Sequence, residues 1–214
     1  MKIVGIPGSN ANHSYNRMLL EYISKAYEHD MTVVDVRKIP LFNESAKETP
    51  AAIQAMSDAI DAADAVVIAC PETDHSVPSS LKSIIEWLSY QLHPFTNKPV
   101  LLVGASTDAQ GSSRAQVDLR DVMISPGVNA RVFQKEDFFM SFAQNLFDEN
   151  GDITDPGTIK FLDKCLRDFE CFAIANDQEV KLEEEALAKA KEEAERKATQ
   201  GYQRQQPVRK RKKK

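Results

Sequence analysis

The chain has 214 residues, 42% of them hydrophobic, and a formal net charge of −5. That is long enough for one sizeable core, and no apolar run approaches the roughly 20 residues that span a bilayer. Cys70, Cys165 and Cys171 are odd in number and lack CxxC spacing, so they give no zinc or disulfide signal, and no metal site is expected. Lys2 leads directly into an apolar run with no small-residue cleavage site after it. No secretory signal is expected, and a reducing cytoplasm is the expected location.

The net charge hides an asymmetry. Residues 201–214 hold seven Lys and Arg and no acid, so residues 1–200 carry 20 basic and 32 acidic residues, a net of −12. An acidic body with a basic tail is a compositional break.

In chain order, Lys2–Ile6 predicts a strand and residues 7–13 a polar loop. Residues 14–28 predict a helix that carries the amphipathic run Arg17–Ile23. Such a strand–loop–helix start is an anion site in waiting, because orphan N–H groups and the helix dipole both favour negative charge. A second strand is expected over 31–36, a Pro-containing loop over 38–50 and a helix over 51–62. Asp64–Ala69 reads as a third strand, apolar throughout as if covered on both faces. A loop from Cys70 to Pro78 leads to a helix over 79–92 with Leu81, Ile84, Ile85 and Leu88 on one face.

Lys98–Ala105 predicts the fourth strand, Ser106–Ser112 a loop and 113–123 a helix. Val128–Val132 reads as a short fifth strand and Asp137–Leu146 as a short helix or irregular segment. Residues 156–175 form the last packed helix. Beyond Asp177 the sequence is rich in Glu, Lys and Ala, a solvated helix held by i,i+4 charge pairs. Residues 201–214 cannot bury apolar surface and are expected to be disordered. The expected organisation is therefore a body over 1–176, a charged helix over 177–200 and a basic tail over 201–214.

Alternating strands and helices imply right-handed crossovers and a parallel sheet. Five strands in this space predict an α/β, flavodoxin-like three-layer sandwich of order 2-1-3-4-5, followed by a charged helical or disordered tail. The loops after strands 1, 3 and 4 then share one edge, at the carboxyl ends of the strands, where such sheets take their ligands.

Three segments carry a family resemblance. They are Gly8-Ser9 with Ser14 and Asn16; Pro71-Glu72, Ser76-Val77-Pro78 and Glu86-Trp87-Leu88; and Gly104-Ala105-Ser106 with Gly111, Arg114 and Arg120. Together the chain resembles the NAD(P)H-dependent FMN reductases, a family that includes quinone, chromate and azo reductases. The resemblance implies FMN as cofactor, NAD(P)H as co-substrate, a small-molecule electron acceptor and a homodimer or homotetramer. By position it assigns the FMN phosphate to Ser9, Ser14 and Asn16, and the flavin edge to Pro71, Glu72, Thr73, Asp74, His75 and Ser106. No protein nucleophile is required, because the flavin carries the redox chemistry; His75 is a candidate proton donor.

Each of these residues also has a plainer reading. Ser14 is a good helix cap, Pro71 and Ser106 end strands, and His75 is a loop histidine. Asp74 and Asp108 suit Asx-turns; at a ring mouth they would disfavour anionic substrates. Ala11 stands where the family often has Arg, and Thr73 where it commonly has an aromatic. The expected activity is ping-pong two-electron transfer from NAD(P)H to a quinone, azo or flavin acceptor. The competing expectation is a binding or flavin-carrier module without nicotinamide-driven activity. The tail is either a solvated appendage, an anchor to an anionic polymer or membrane, or a neutraliser within an oligomer. No aromatics interleave its terminal basic cluster, so sequence-specific nucleic-acid reading is not expected.

Overall fold

The computed structural model describes residues 1–27 and 30–205, with side chains through 197. Two compact units are present, Met1–Ile174 and a second from Ala175 on. In the first, β1 (Lys2–Pro7), β2 (Asp30–Val33), β3 (Ala65–Ala69), β4 (Pro99–Ala105), β5 (Arg131–Val132) and β6 (Phe138–Met140) form one parallel sheet. Its order is β2-β1-β3-β4-β5, with β6 also pairing β4. The helices are α1 (Tyr15–Ala26), α2 (Ala51–Asp61), α3 (Ser79–Gln91), α4 (Ser113–Ile124) and α5, which starts at Pro156.

The period-2 alternation of the strands divides the core into two layers. Val4, Ile6, Val66, Ile68, Val100 and Leu102 face α2, α3 and α4 through Ile53, Ile60, Ile84, Leu88 and Leu119. Ile3, Val67, Leu101 and Val103 face α1 and α5 through Leu19, Leu20, Ile23, Leu162, Leu166 and Phe169. Burial on both faces explains why β3 and β4 read as unbroken apolar runs rather than as alternating ones.

The expectations at the sheet's far edge need correction. The fifth strand is only Arg131–Val132, paired to the start of β4. The segment expected to be a short helix or irregular contains β6 instead, paired to the end of β4 through Val103–Phe138 and Ala105–Met140. One edge position is thus filled by two short strands, and neither is long enough to announce itself by periodicity. A single 3₁₀ turn, Ala143–Asn145, follows.

In the second unit the helix that began at Pro156 is described to Gln205, past Gly201 where a disordered tail was expected to begin. Asp177–Lys181 and Glu193–Lys197 make i,i+4 ion pairs, each at 2.6 Å, and Leu182 and Leu187 are exposed. The terminal basic cluster from Arg209 lies outside the described residues. Among the described residues no helix is long and apolar enough to cross a membrane.

The β1–α1 loop leaves the sheet against the end of β3, and the approach is close. Gly8 donates its N–H to the Ala69 carbonyl at 2.8 Å, and its own carbonyl accepts from Ser80 Oγ at 3.0 Å. A Cβ on Gly8 would lie 2.6 Å from Pro71 Cδ, 2.9 Å from Leu81 Cδ2 and 3.0 Å from the Ala69 oxygen. Gly8→Ala is therefore expected to destabilise the protein by about 2 kcal/mol, as overpacking against rigid neighbours does. Chemical denaturation checks this; an unchanged midpoint would mean the loop relaxes freely.

Candidate functional site at the carboxyl edge of the sheet

The first loop ends in a helix cap. Ser14 is in extended backbone (φ −147°, ψ 116°), and its Oγ accepts the Arg17 N–H at 3.3 Å. The plain reading of Ser14 as a cap holds, and the hydroxyl proton is left for a ligand. Ser9 Oγ accepts from the Ala11 N–H at 3.2 Å, which fixes the turn between them.

Asn16 has a second task. Its side-chain N–H donates to the Ala105 carbonyl at 2.8 Å, and its oxygen accepts the Ala105 N–H at 3.0 Å. Both bonds are buried, so Asn16 clamps the start of α1 to the last residue of β4. That employment was not visible from the motif spacing.

Arg17, one residue on, was passed over in the sequence. Its side chain is 15% exposed and its Nη2 lies 3.5 Å from Asp35. Both Nε and Nη2 are buried without a hydrogen-bond partner. Asp35 is taken by Arg37, which donates to it from Nε at 2.9 Å and from Nη2 at 2.8 Å. Those hydrogen bonds hold the Asp35 carboxyl well below the usual carboxylate range. The first turn of α1 therefore carries a cation whose hydrogen-bonding capacity is largely unused.

The second loop is a tight hairpin. Thr73 and Ser76 exchange N–H···O bonds at 3.1 and 3.0 Å. Between them Asp74 (φ 50°) and His75 (φ 64°) both occupy the left-handed region, as the two central residues of a type I′ turn must. Asp tolerates that region; His does so at some strain.

The extended stretch leading in points its side chains alternately. Pro71 and Thr73 line a cleft of about 320 Å³ shared with Ser9 and Asn10 and closed by Ile39, Leu41 and the start of α3. Glu72 and Asp74 line a larger cleft of about 610 Å³ with His75, Ser106, Asp108, Ala109 and Gln110. The sequence-assigned edge residues thus divide between two clefts on either side of the hairpin.

Glu72 holds the larger cleft's frame. Its Oε2 accepts the Arg114 N–H at 3.0 Å and the Ala115 N–H at 3.3 Å. It does the work that Ser112 cannot, because Ser112 precedes α4 in left-handed backbone (φ 72°) and makes no side-chain cap bond. Glu72 Oε1 lies 3.2 Å from His75 Nδ1 and 3.9 Å from Arg114 Nη1. Arg114 Nη1 in turn lies 2.6 Å from His75 Nδ1. Nδ1 thus faces both a carboxylate, which only accepts, and a guanidinium, which only donates, so it serves one of the two at a time.

Burial opposes ionisation of Glu72. The hydrogen bonds with His75, Ala115 and Arg114, together with the Arg114 charge, outweigh burial and lower its pKa. Cys70, just before this loop, is buried, and burial first, then Glu72 and Asp118, push its thiol up; it is a core thiol. Among the described residues no group of His, Cys, Asp and Glu could hold a metal ion.

The third loop is held from outside the motif. Ser106 N–H donates to the Met140 carbonyl and Ala143 N–H to the Ser106 carbonyl, both at 2.9 Å. Ser141 Oγ donates to the Ala109 carbonyl at 2.7 Å. Ser106 Oγ accepts the Asp108 N–H at 3.1 Å. Gly104 permits a close approach, since a Cβ there would collide with Ser112 Oγ and lie 2.7 Å from Gln116 Nε2. The support from residues 138–145 could have been found only by reading β6 as a strand.

A parallel sheet of order 2-1-3-4-5, with three rigid loops meeting beyond strands 1, 3 and 4, defines a flavodoxin-like protein. A flavoenzyme NAD(P)H:(acceptor) oxidoreductase from Paracoccus denitrificans shares the fold, with a TM-score of 0.74 at 22% identity over 82% of this chain and 98% of that one. The chain belongs to the NADPH-dependent FMN reductase family, whose profile matches residues 1–145. It is 38% identical to an NADH:(hydroxy)cinnamate reductase subunit, CrdA, from Vibrio ruber, over 80% of this chain and 87% of that one. It is 34% identical to NADH-dependent flavin reductase subunit 2 of Lactobacillus johnsonii, over 80% and 97%. A quinone reductase of Escherichia coli is 32% identical over 76% and 89%.

The Glu72 cap gives a pH-dependent prediction. Its native pKa lies below the ordinary 4.5, so the stability it contributes is fully present above that value. It is lost as the pH falls through the lower native pKa. Glu72→Gln should cost about 1 kcal/mol at neutral pH. In urea titrations the gap between wild type and variant should close below pH 4.5; a gap constant down to the acid limit would refute the ionised cap.

Proposed function

We propose that the chain is an FMN-dependent NAD(P)H oxidoreductase that passes two electrons from a nicotinamide nucleotide to a small organic acceptor such as a quinone. The observation that carries this is the convergence of the three family loops on clefts held by the buried Asn16 clamp and the Glu72 cap, within a chain of that family. The residues fit the cofactor. The first loop offers the Ser9 and Ser14 hydroxyls, the α1 N-terminus and, in its first turn, the Arg17 cation, 3.5 Å from Asp35 and with two nitrogens that lack hydrogen-bond partners. Arg17 would take the place of the charge that Ala11 lacks. The Asn16 side chain has one N–H left beyond its clamp. Glu72, Asp74, His75 and Ser106 would border the flavin, and Pro71 and Thr73 would support it from the other side of the hairpin.

FMN, when bound, supplies the two-electron hydride chemistry. The protein's part is to bind, orient and handle protons. Because one cleft lies between the second and third loops, donor and acceptor would use it in turn, which is a ping-pong order. Overall NAD(P)H loses a hydride and a quinone gains two electrons and two protons, the second proton coming from solvent or from His75. The His75 imidazole, set between Glu72 and Arg114, is the side-chain donor nearest to hand. In this reading the redox body is residues 1–176, the charged segment after it takes no part in the chemistry, and the protein works as a cytoplasmic homo-oligomer. The free Cys70, Cys165 and Cys171 suit a reducing compartment.

A second reading is favoured by the names of the two relatives given above as subunits. The chain would then be a flavin-carrying subunit that exchanges electrons with a partner protein. Purified protein titrated with FMN and then with NADH and NADPH separates the two. Bleaching of the flavin spectrum followed by reoxidation with a quinone supports the enzyme, and bound flavin that neither nucleotide reduces supports the carrier. Protein that fails to quench FMN fluorescence at micromolar concentration overturns both. Ser14→Ala should weaken FMN binding about ten- to a hundredfold, the worth of one hydrogen bond to a charged group; unchanged affinity would remove Ser14 from the phosphate site.

A further inference from the structure

The larger cleft has an uncompensated negative lining. Of its three carboxylates, Glu72 is balanced by the Arg114 guanidinium and the amides at the start of α4. Asp74 and Asp108 face the same cleft from opposite loops, and among the described residues neither carboxylate has an ion-pair or side-chain hydrogen-bond partner. The basic groups at this rim are Arg114 and His75, and both are engaged with Glu72 and with each other. Neither acidic loop is free to turn away. Asp74 is fixed in the left-handed turn closed by Thr73 and Ser76. Asp108 is tied through its N–H to Ser106 Oγ and through its carbonyl to the Phe142 N–H at 3.4 Å. Residues 1–176, with 15 basic and 24 acidic residues and a net of −9, add a field of the same sign.

We infer that this cleft selects its electron acceptor by charge. It takes neutral or cationic planar acceptors and discriminates against anionic ones, and Asp74 and Asp108 are its specificity-determining residues. The inference rests on the redox reading above and goes one step further, to the class of substrate. Two carboxylates within about 8–10 Å of a bound sulfonate, at an effective dielectric between those of protein surface and water, disfavour it by about tenfold at low salt. At high salt most of that penalty is screened.

The test uses the FMN-loaded full chain with saturating NADH. The acceptors are unsubstituted 1,4-naphthoquinone, a sulfonated naphthoquinone and a naphthoquinone bearing a trimethylammonium group. The variants are Asp74→Asn, Asp108→Asn and the double variant. Asn is isosteric with Asp and tolerates the left-handed turn equally, so the loops keep their shape. The expected result is a ratio of kcat/KM, sulfonated over neutral, that rises about tenfold in the double variant at 10 mM salt and by about twofold or less at 0.5 M. The cationic quinone should change in the opposite direction. The Kd of the sulfonated quinone for the oxidised protein, read from perturbation of the flavin spectrum, should fall in parallel.

A ratio that does not move at low salt, or a gain equal for all three acceptors, overturns the inference while leaving the redox reading intact. A wild-type chain that binds no FMN is recognised from its spectrum before any ratio is measured, and it overturns both.

Discussion

A single buried amide ties the functional edge of this protein together. Asn16 satisfies both backbone groups of Ala105, the last residue of β4, from the first turn of α1. Two strands lie between those points in the chain and one lies between them in the sheet. The register of the loop after β1 against the loop after β4 therefore hangs on one side chain. Buried backbone groups left without partners cost on the order of 1–3 kcal/mol each, so the clamp is strongly determined once the sheet forms. Everything the loops offer a ligand is placed relative to it.

Glu72 does for the second and third loops what Asn16 does for the first and third. A left-handed Ser112 leaves α4 without a local cap, and a carboxylate from the β3 loop supplies one. The same carboxylate lies against both Arg114 and His75, which are in contact with each other. Pro71 and Thr73 face one side of the hairpin, and Glu72, with the turn residues Asp74 and His75, lines the cleft on the other. A hairpin with two left-handed residues keeps this arrangement rigid at a local strain that the Thr73–Ser76 bonds offset.

The sheet order, the five helices of the body and the three converging loops were legible in the sequence because they follow from long apolar runs. Val66–Ile68 and Val100–Val103 could only be strands covered on both faces, and Leu81, Ile84 and Leu88 could only be one face of a helix. β6 was not legible, since three residues beside Gly104 and Ala105 have no period to show. Its loss hid the support of the third loop by Met140, Ser141 and Ala143. The Asn16 clamp was equally hidden. A motif places a residue at a spacing but does not say whether its amide meets a ligand or the backbone. Arg17 was overlooked for a related reason, because a basic residue inside an amphipathic helix reads as solvated surface until its burial is known.

Three helix N-termini open onto the carboxyl edge, and they are not equivalent. That of α4 already holds a carboxylate, Glu72, so a second anion there would meet like charge. That of α3 starts after Pro78, without a side-chain cap, but its nearest side chains, Ser79, Ser80 and Ser83, are neutral hydroxyls. That of α1 is capped by the neutral Ser14 hydroxyl and backed by Arg17, whose buried nitrogens lack hydrogen-bond partners. The dipole and the neutral cap therefore favour an anion at α1, with Arg17 shared with Asp35 at 3.5 Å, and like charge disfavours one at α4. The acidic residues that remain unpaired, Asp74 and Asp108, lie around the larger cleft. The edge is thus polarised, with its capacity for anions concentrated at the first loop and its negative charge at the mouth where an acceptor would enter. In the proposed function this polarity would put the phosphate of a planar cofactor at α1 and its ring between the hairpin and the third loop.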